Sequence, residues 1–132
     1  MILAVDTLSP SPIYEQLRDQ IVAGIASGRL APGEALPSVR GLAADLGVNF
    51  HTVNKAYAIL CDEGYIAMDR RKGAVVARKT ERDAAFSASL SRRLLLTAAE
   101  AICREIGEGE FITLCADCYR DAKGASMNGG TL

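Results

Sequence analysis

No stretch of this sequence is long enough and apolar enough to cross a membrane; polar or charged residues interrupt every apolar run short of the roughly twenty residues a spanning helix needs. The segment Met1–Ser11 has neither a basic start nor a long apolar core, so it does not read as a signal peptide, and a cytoplasmic location is expected. Neither sign of charge dominates: 15 basic residues face 16 acidic ones, for a formal net charge of −1. Overall charge therefore gives no argument for a nucleic-acid partner. Histidine occurs once, at His51, and cysteine four times, at Cys61, Cys103, Cys115 and Cys118. Cys115 and Cys118 form a lone C-x-x-C without the second pair that a structural zinc site needs. No nucleophile–base pair, metal-ligand cluster or phosphate-cradling glycine loop stands out, so no enzyme, cofactor or metal is expected. Without an export signal the cysteines should be reduced, and all four are expected as buried or half-buried helical thiols.

What is present centres on Leu36–Leu60. Ser38 follows Pro37 and suits the cap of a helix whose apolar positions are Val39, Leu42, Ala43 and Leu46. Gly47 stands where a left-handed residue would stop that helix. Val48 plugs the turn and Asn49 caps a second helix, which buries Val53, Ala56, Tyr57 and Leu60 at i, i+3, i+4 and i+7. The opposite face carries His51, Thr52, Asn54 and Lys55, all polar and none acidic. A helix–turn–helix has this distribution, with the first residues of its second helix meeting base edges and phosphates in the major groove. Periodicity alone favours a plain solvated face, since most amphipathic helices bind nothing. The flanking segments reverse that ranking.

Upstream, Ile2–Val5 reads as a strand or a packing strip. Ser11 suits a cap and Pro12 a first turn, and Ile13, Leu17, Ile21 and Ile25 mark a helix over Pro12–Ser27, ended by Gly28. Pro32-Gly33 signals a turn, with Leu30 and Leu36 packing onto the neighbouring helices. Downstream, the second helix of the pair should run to Glu63 and end at Gly64. Strands are predicted over Tyr65–Met68 and Ala74–Ala77, with the loop Asp69–Gly73 between them. That hairpin has a basic tip, Arg70-Arg71-Lys72, and a cationic tip beside a groove helix suits phosphates.

A charged link, Arg78–Asp83, precedes a different organisation. Phe86, Leu90, Leu94, Ala98, Ala101 and Ile102 fit a helix ending near Ile106, and Gly107-Glu108-Gly109 breaks it. Glu110–Ala122 fits another helix, with Phe111, Leu114, Cys115, Cys118 and Tyr119 as its candidate apolar positions; Gly124–Leu132 reads as a frayed tail. Two helices cannot close a core alone, so the same pair from a second subunit should cover them, the competing arrangement being that they fold back on the preceding domain.

The ordered string Pro12-Ile13-Tyr14-Glu15-Gln16-Leu17, then Gly28, Leu30, Pro32-Gly33-Glu34, Leu36-Pro37-Ser38, Arg40, Leu42-Ala43 and Leu46-Gly47-Val48-Asn49, resembles the winged helix–turn–helix of GntR-family regulators. Thr52-Val53, Ala56-Tyr57, Leu60 and Glu63-Gly64-Tyr65-Ile66 continue the resemblance, which covers Pro12–Ala77. The short two-helix tail is similar to the YtrA-like branch. The resemblance implies a mainly α fold with a small β-hairpin wing: a winged helix–turn–helix DNA-binding domain over residues 1–79, a helical dimerisation element over 80–123 and a flexible tail over 124–132. It also implies a homodimeric repressor on a double-stranded, inverted-repeat operator, with no membrane partner. It places Arg40, Asn49, His51, Thr52 and Asn54 on the operator and Gly73 and the residues before it at the wing tip.

The residue chemistry agrees. Arg40 suits a bidentate contact to guanine or phosphate. Thr52 and Asn49 suit phosphates, His51 and Asn54 base edges, and Arg71 and Lys72 a narrow minor groove. The DNA-binding set is then Ser38, Arg40, Asn49, Phe50, His51, Thr52, Asn54, Lys55, Arg70, Arg71, Lys72 and Gly73. The dimerisation set is Phe86, Leu90, Leu94, Ala98, Ile102, Phe111 and Leu114. Phe50 departs from the family pattern; it either touches sugar or a thymine methyl, or packs. The wing lacks the usual Gly-x-Gly, and Val75 replaces a frequent aromatic. The alternative function is a thiol- or metal-responsive sensor regulator using Cys103, Cys115 and Cys118. A small-molecule effector, of unknown identity, would need a pocket formed between subunits.

Overall fold

The computed structural model describes residues 3–124, and the chain divides into two units, the second being Glu81–Asp121. Among the described residues there are five helices and one two-stranded antiparallel sheet, the mainly α architecture with a hairpin wing that the sequence predicts. Ile2 and the expected tail beyond Gly124 lie outside the described residues. No described helix is long and apolar enough to cross a membrane.

Helix α1 (Ile13–Ala26) buries Leu17 and Ile21 completely, while Ile13 and Ile25 are half-buried. A residue every four positions overshoots a full turn by about 40° each time, so the ends of such a stripe rotate off the core. Ser11 does not cap α1. Pro12 holds the N-cap position without a side-chain bond, and Ser11 instead offers its carbonyl to Gln16 Nε2 at 2.9 Å. Leu3–Val5 is the packing strip rather than the strand. Its backbone is held by the side-chain amides of α1: Gln20 bonds both Ala4 N–H and Ala4 C=O, and Gln16 both those of Asp6.

Leu30 folds back under α1, its N–H bonding Gly24 C=O at 2.9 Å. A Cβ on Gly24 would sit 2.9 Å from Leu30 Cδ1, so a larger residue there would force the Leu30 side chain to shift. Helices α2 (Val39–Leu46) and α3 (Phe50–Asp62) follow, then the hairpin β1 (Ile66–Asp69) and β2 (Gly73–Val76). Its register pairs Ile66 with Val76 and Asp69 with Gly73. The segment after Pro32-Gly33 does more than turn. Gly33 N–H bonds Val76 C=O, Val76 N–H bonds Glu34 C=O, and Leu36 N–H bonds Ala74 C=O, all within 2.9 Å. This short third edge ties the wing to the chain entering α2.

One core joins these elements: Leu17 and Ile21 from α1, Leu42 and Ala43 from α2, Val53, Ala56, Tyr57 and Leu60 from α3, Ile66, Ala74 and Val76 from the hairpin, and Leu30 and Leu36 between them. Two polar ties brace it. Tyr57 Oη donates to Pro37 C=O at 2.7 Å. Arg18 grips Glu63 through Nε and Nη2 at 2.9 and 3.0 Å and lies over the Tyr65 ring. The Glu63 hydrogen bond, above all, pushes the Arg18 pKa up.

In the second unit, α4 (Ala84–Cys103) is capped by Asp83, whose Oδ1 accepts from Phe86 N–H at 2.7 Å. The helix ends earlier than Ile106, and the break is not at Gly107-Glu108-Gly109. Glu105 takes the left-handed position at φ 62°, with Glu105 N–H on Ile102 C=O and Ile106 N–H on Ala101 C=O. These are the two bonds of a Schellman cap, usually built on glycine. Helix α5 (Glu108–Ala122) then starts inside the expected break, because Glu108 and Glu110 suit the positive end of its dipole.

Of Glu81–Asp121, Ala101 alone is buried. Phe86, Leu90, Leu94, Ile102 and Leu114 are exposed, Ile102 to 71%, while Ala98 and Phe111 are half-buried. Leu95, Leu96 and Ile112 add exposed apolar surface that periodicity alone did not single out, and Tyr119, expected among the apolar positions of the last helix, is exposed as well. The cysteines follow the same division. Cys61 is half-buried as expected, but Cys103, Cys115 and Cys118 are exposed, correcting the expectation of packed thiols, because α4 and α5 cover so little of each other. No group of three or more metal-ligating side chains occurs among the described residues.

Burial pushes the Tyr57 pKa up to about 12, above the ordinary value of about 10. The neutral phenol is therefore the form the fold favours. Its contribution is complete below pH about 10 and is lost as pH rises through about 12. In Tyr57→Phe the Pro37 carbonyl loses its partner, and urea unfolding at neutral pH should show a loss of about 1–2 kcal/mol. The same variant should flatten the decline of stability between pH 10 and 12; an unchanged alkaline slope would show that the phenol is not the group responsible.

Candidate nucleic-acid interface

The start of α2 is fixed by its own sequence. Ser38 Oγ accepts from Gly41 N–H at 3.0 Å, and a Cβ on residue 41 would lie 2.9 Å from that oxygen. Glycine there keeps the cap open, and the cap orients Arg40 one residue before it. Arg40 is exposed. Among the described residues no carboxylate holds its donors; its guanidinium lies 4.8 Å from the centroid of the Phe50 ring. Gly47 stops α2 at φ 68°, as its position predicts.

Asn49 caps α3 by accepting His51 N–H on Oδ1 at 2.7 Å. Its amide oxygen is thus spent on the helix, and the amide NH₂ is the group left to an outside acceptor. The first turn of α3 carries no acidic residue. His51, Asn54 and Lys55 are exposed and Thr52 is half-exposed, while Val53, Ala56, Tyr57 and Leu60 face the core. Lys55 is not loose: its Nζ sits 4.0 Å from the centroid of the Tyr14 ring on α1. Phe50 packs partly against the core, with His51 meeting its ring edge-on at 5.5 Å. Of the alternatives for Phe50, packing is what the free chain displays.

The wing tip is organised by one carboxylate. Asp69 Oδ1 accepts from Arg71 N–H at 2.7 Å and Lys72 N–H at 3.0 Å, and Gly73 closes the loop at φ 77°. A single glycine suffices where the family pattern has two, because Asp69 holds the two amides. The side chains of Arg70, Arg71 and Lys72 are all exposed. The Arg71 hydrogen bond, then that of Lys72, hold the Asp69 carboxyl below the usual carboxylate range. Between wing and α3 lies a groove of about 400 Å³, lined by Tyr57, Ala58, Cys61, Met68 and Ala74 among others. Burial pushes the Cys61 thiol pKa up, which keeps it protonated and a poor nucleophile.

The structure thus brings Ser38, Arg40 and Asn49–Lys55 together along α2 and α3 and sets Arg70–Gly73 on the hairpin of the same unit. Three contributors went unread in the sequence: Asp69, Tyr14 and the hydroxyl of Tyr57. An aspartate closing a strand just ahead of three cations and a glycine is a turn signal that would have found the first. Tyr14 and Tyr57 needed the packing of α1 and α3 to show what they touch.

The Asp69 contact is open to a direct measurement. Its carboxylate holds the tip above its own lowered pKa and releases it as pH falls through that value. The Arg71 and Lys72 amide resonances should therefore titrate with a midpoint below the ordinary aspartate value of about 3.9. In Asp69→Ala both amides should exchange faster with solvent at neutral pH, while the core amides of α1 and α3 keep their protection. A midpoint at the ordinary value would remove Asp69 as the organiser of the tip.

Residues 13–76 match the model of the family described as "Bacterial regulatory proteins, gntR family". Among curated proteins, the HTH-type transcriptional regulator Rv1152 of Mycobacterium tuberculosis is 37% identical over 106 residues, 76% of this chain and 88% of that protein. A solved structure of YtrA from Sulfolobus acidocaldarius, described as a GntR-family transcription factor, is 41% identical with a TM-score of 0.63, covering 76% of this chain and 99% of that one. The crystal structure of a protein titled transcriptional antiterminator from Listeria monocytogenes superposes with a TM-score of 0.87 at 27% identity, covering 98% of each chain. With the matched segment running from the first residue of α1 to the last of β2, and with relatives matched over nearly their whole length, this chain belongs to the GntR family of bacterial regulatory proteins and is YtrA-like within it.

Proposed function

We propose that the chain is a sequence-specific DNA-binding transcriptional regulator that acts in the cytoplasm as a homodimeric repressor on an inverted-repeat operator. One observation carries the reading: the outward side of α3 is polar and free of acidic residues over its first turn, with Arg40 on one flank and a cationic, carboxylate-braced hairpin tip in the same unit. In this reading α3 enters the major groove. Arg40, His51 and Asn54 meet base edges, and Ser38, Asn49, Thr52 and Lys55 meet phosphates. Arg70, Arg71, Lys72 and Gly73 approach the adjacent minor groove. Residues 1–79 form the DNA-binding domain and 80–123 the dimerisation element. Repression follows from occupying a promoter and excluding polymerase.

The dimer part of the proposal is supported by exposed apolar surface. Phe86, Leu90, Leu94 and Ile102 on α4, with Leu114 on α5, leave apolar side chains in contact with water. A second copy of the same pair would cover it, with Ala98 and Phe111 inside the contact, and would bring two α3 helices to successive half-sites.

The first test is a gel shift with the DNA upstream of the chain's own gene. Retardation at low salt that survives competitor DNA is expected, and folded protein giving no shift under those conditions would end the regulator reading. Arg40→Ala should cost about 1–3 kcal/mol and relax preference at one base, whereas Lys72→Ala should weaken all sequences alike and lower the salt slope by about one. The second test is sedimentation. The parent chain should run as a dimer and Leu94→Asp as a monomer with unchanged helicity. A parent that sediments as a monomer at micromolar concentration rules out the dimer.

A further inference from the structure

Phe50 stands between two of the side chains proposed to read bases, and it contacts both. The Arg40 guanidinium lies over its ring at 4.8 Å, and the His51 ring meets it edge-on at 5.5 Å with an interplanar angle of 76°. The ring itself is held, being half-buried against the core that α3 forms with its neighbours. Arg40 comes from α2 and the ring from the first residue of α3, so the contact spans the turn of the motif. An exposed arginine loses rotamer entropy when it binds, and a side chain already stacked on a fixed surface loses less.

The geometry leaves the arginine able to act. A cation–π contact holds the guanidinium at the ring and spends none of its N–H donors on a hydrogen-bond acceptor. Among the described residues no carboxylate occupies those donors. The donors that match guanine O6 and N7 are therefore not taken up by a carboxylate while the guanidinium sits over the ring. We infer that Phe50 is a positioning residue: its ring presets the Arg40 guanidinium for base readout, so it governs operator specificity through Arg40 rather than by touching DNA. This rests on the regulator reading above and replaces, for this one residue, direct contact with sugar or methyl.

The test begins with the free protein, where the ring current of Phe50 should move the Arg40 Hδ resonances upfield. Phe50→Leu keeps an apolar side chain on the core and removes the π face, so the shift should vanish; Phe50→Tyr should retain it. For DNA, the parent is used to enrich duplexes from a random pool, and the enriched duplex and a scrambled one serve as probes. Phe50→Leu should lower the ratio of their affinities about three- to tenfold, chiefly at the base that Arg40→Ala also relaxes, and Phe50→Tyr should restore it. In the Arg40→Ala background, Phe50→Leu should have no further effect on the ratio.

Additive losses in that double variant, or a uniform loss on both probes, would mean that Phe50 contacts DNA itself or only supports the fold, and either overturns the inference. Unshifted Arg40 Hδ resonances in the parent overturn it without any variant, so a Phe50→Leu chain that fails to fold leaves it still decidable. A parent chain that enriches no duplex overturns the regulator reading instead. Enrichment by the parent with an identical profile for Phe50→Leu overturns only the role of the ring.

Discussion

Helix α3 has to serve the core with one side and solvent with the other, and the rest of the DNA-binding unit is arranged to make that possible. Val53, Ala56, Tyr57 and Leu60 lie in the cluster formed with α1, α2 and the hairpin, and Val53, Ala56 and Leu60 are wholly inaccessible. Removing such a side chain from a packed core leaves a cavity that costs about 2–5 kcal/mol for a leucine. The helix therefore cannot rotate about its axis to hide its polar side. His51, Asn54 and Lys55 stay outward because Val53 and Leu60 must stay inward.

That rotational lock is extended along the chain by polar bonds whose partners are far apart in sequence. Tyr57 reaches from the core face of α3 to the carbonyl of Pro37, one residue before the Ser38 cap, and so ties the start of α2 to the middle of α3. The bonds from Glu34 and Leu36 to β2 tie the same entry segment to the wing. Arg18 fixes the far end of α3 to α1 through a two-pronged, partly desolvated ion pair with Glu63, which is worth more than an isolated surface pair because both prongs and the Tyr65 ring hold it. These bonds join α3 to the start of α2, and the segment entering α2 to the hairpin, within this unit.

The unit Glu81–Asp121 follows a different logic. Helix α4 is well capped, by Asp83 at one end and by the Glu105 turn at the other, yet the helices of this unit bury almost nothing. Capping makes a helix start and stop in the right place but does not remove apolar side chains from water. The exposed apolar side chains of α4 are the basis of the dimer proposed above.

Local rules were enough for the helices and for their polarity. Three- and four-residue spacing of apolar side chains located α1, α2 and α3 and separated the core side of α3 from its solvent side, because a helix converts spacing directly into facing. Gly47 and Asn49 acted as their positions predicted, since a left-handed stop and a cap depend only on neighbours within a few residues. Local rules failed where two answers were equally good on short range. The end of α4 went to Glu105 rather than to a nearby glycine, with Glu105 and Ile106 N–H closing the last turn on Ile102 and Ala101. Tertiary structure alone decided the ring beneath Arg40, the ring beneath Lys55, the bridge of Ala35 to Val75 and the hydroxyl bond to Pro37. Each joins residues from different elements, and no periodicity within one element carries information about where another will come to rest.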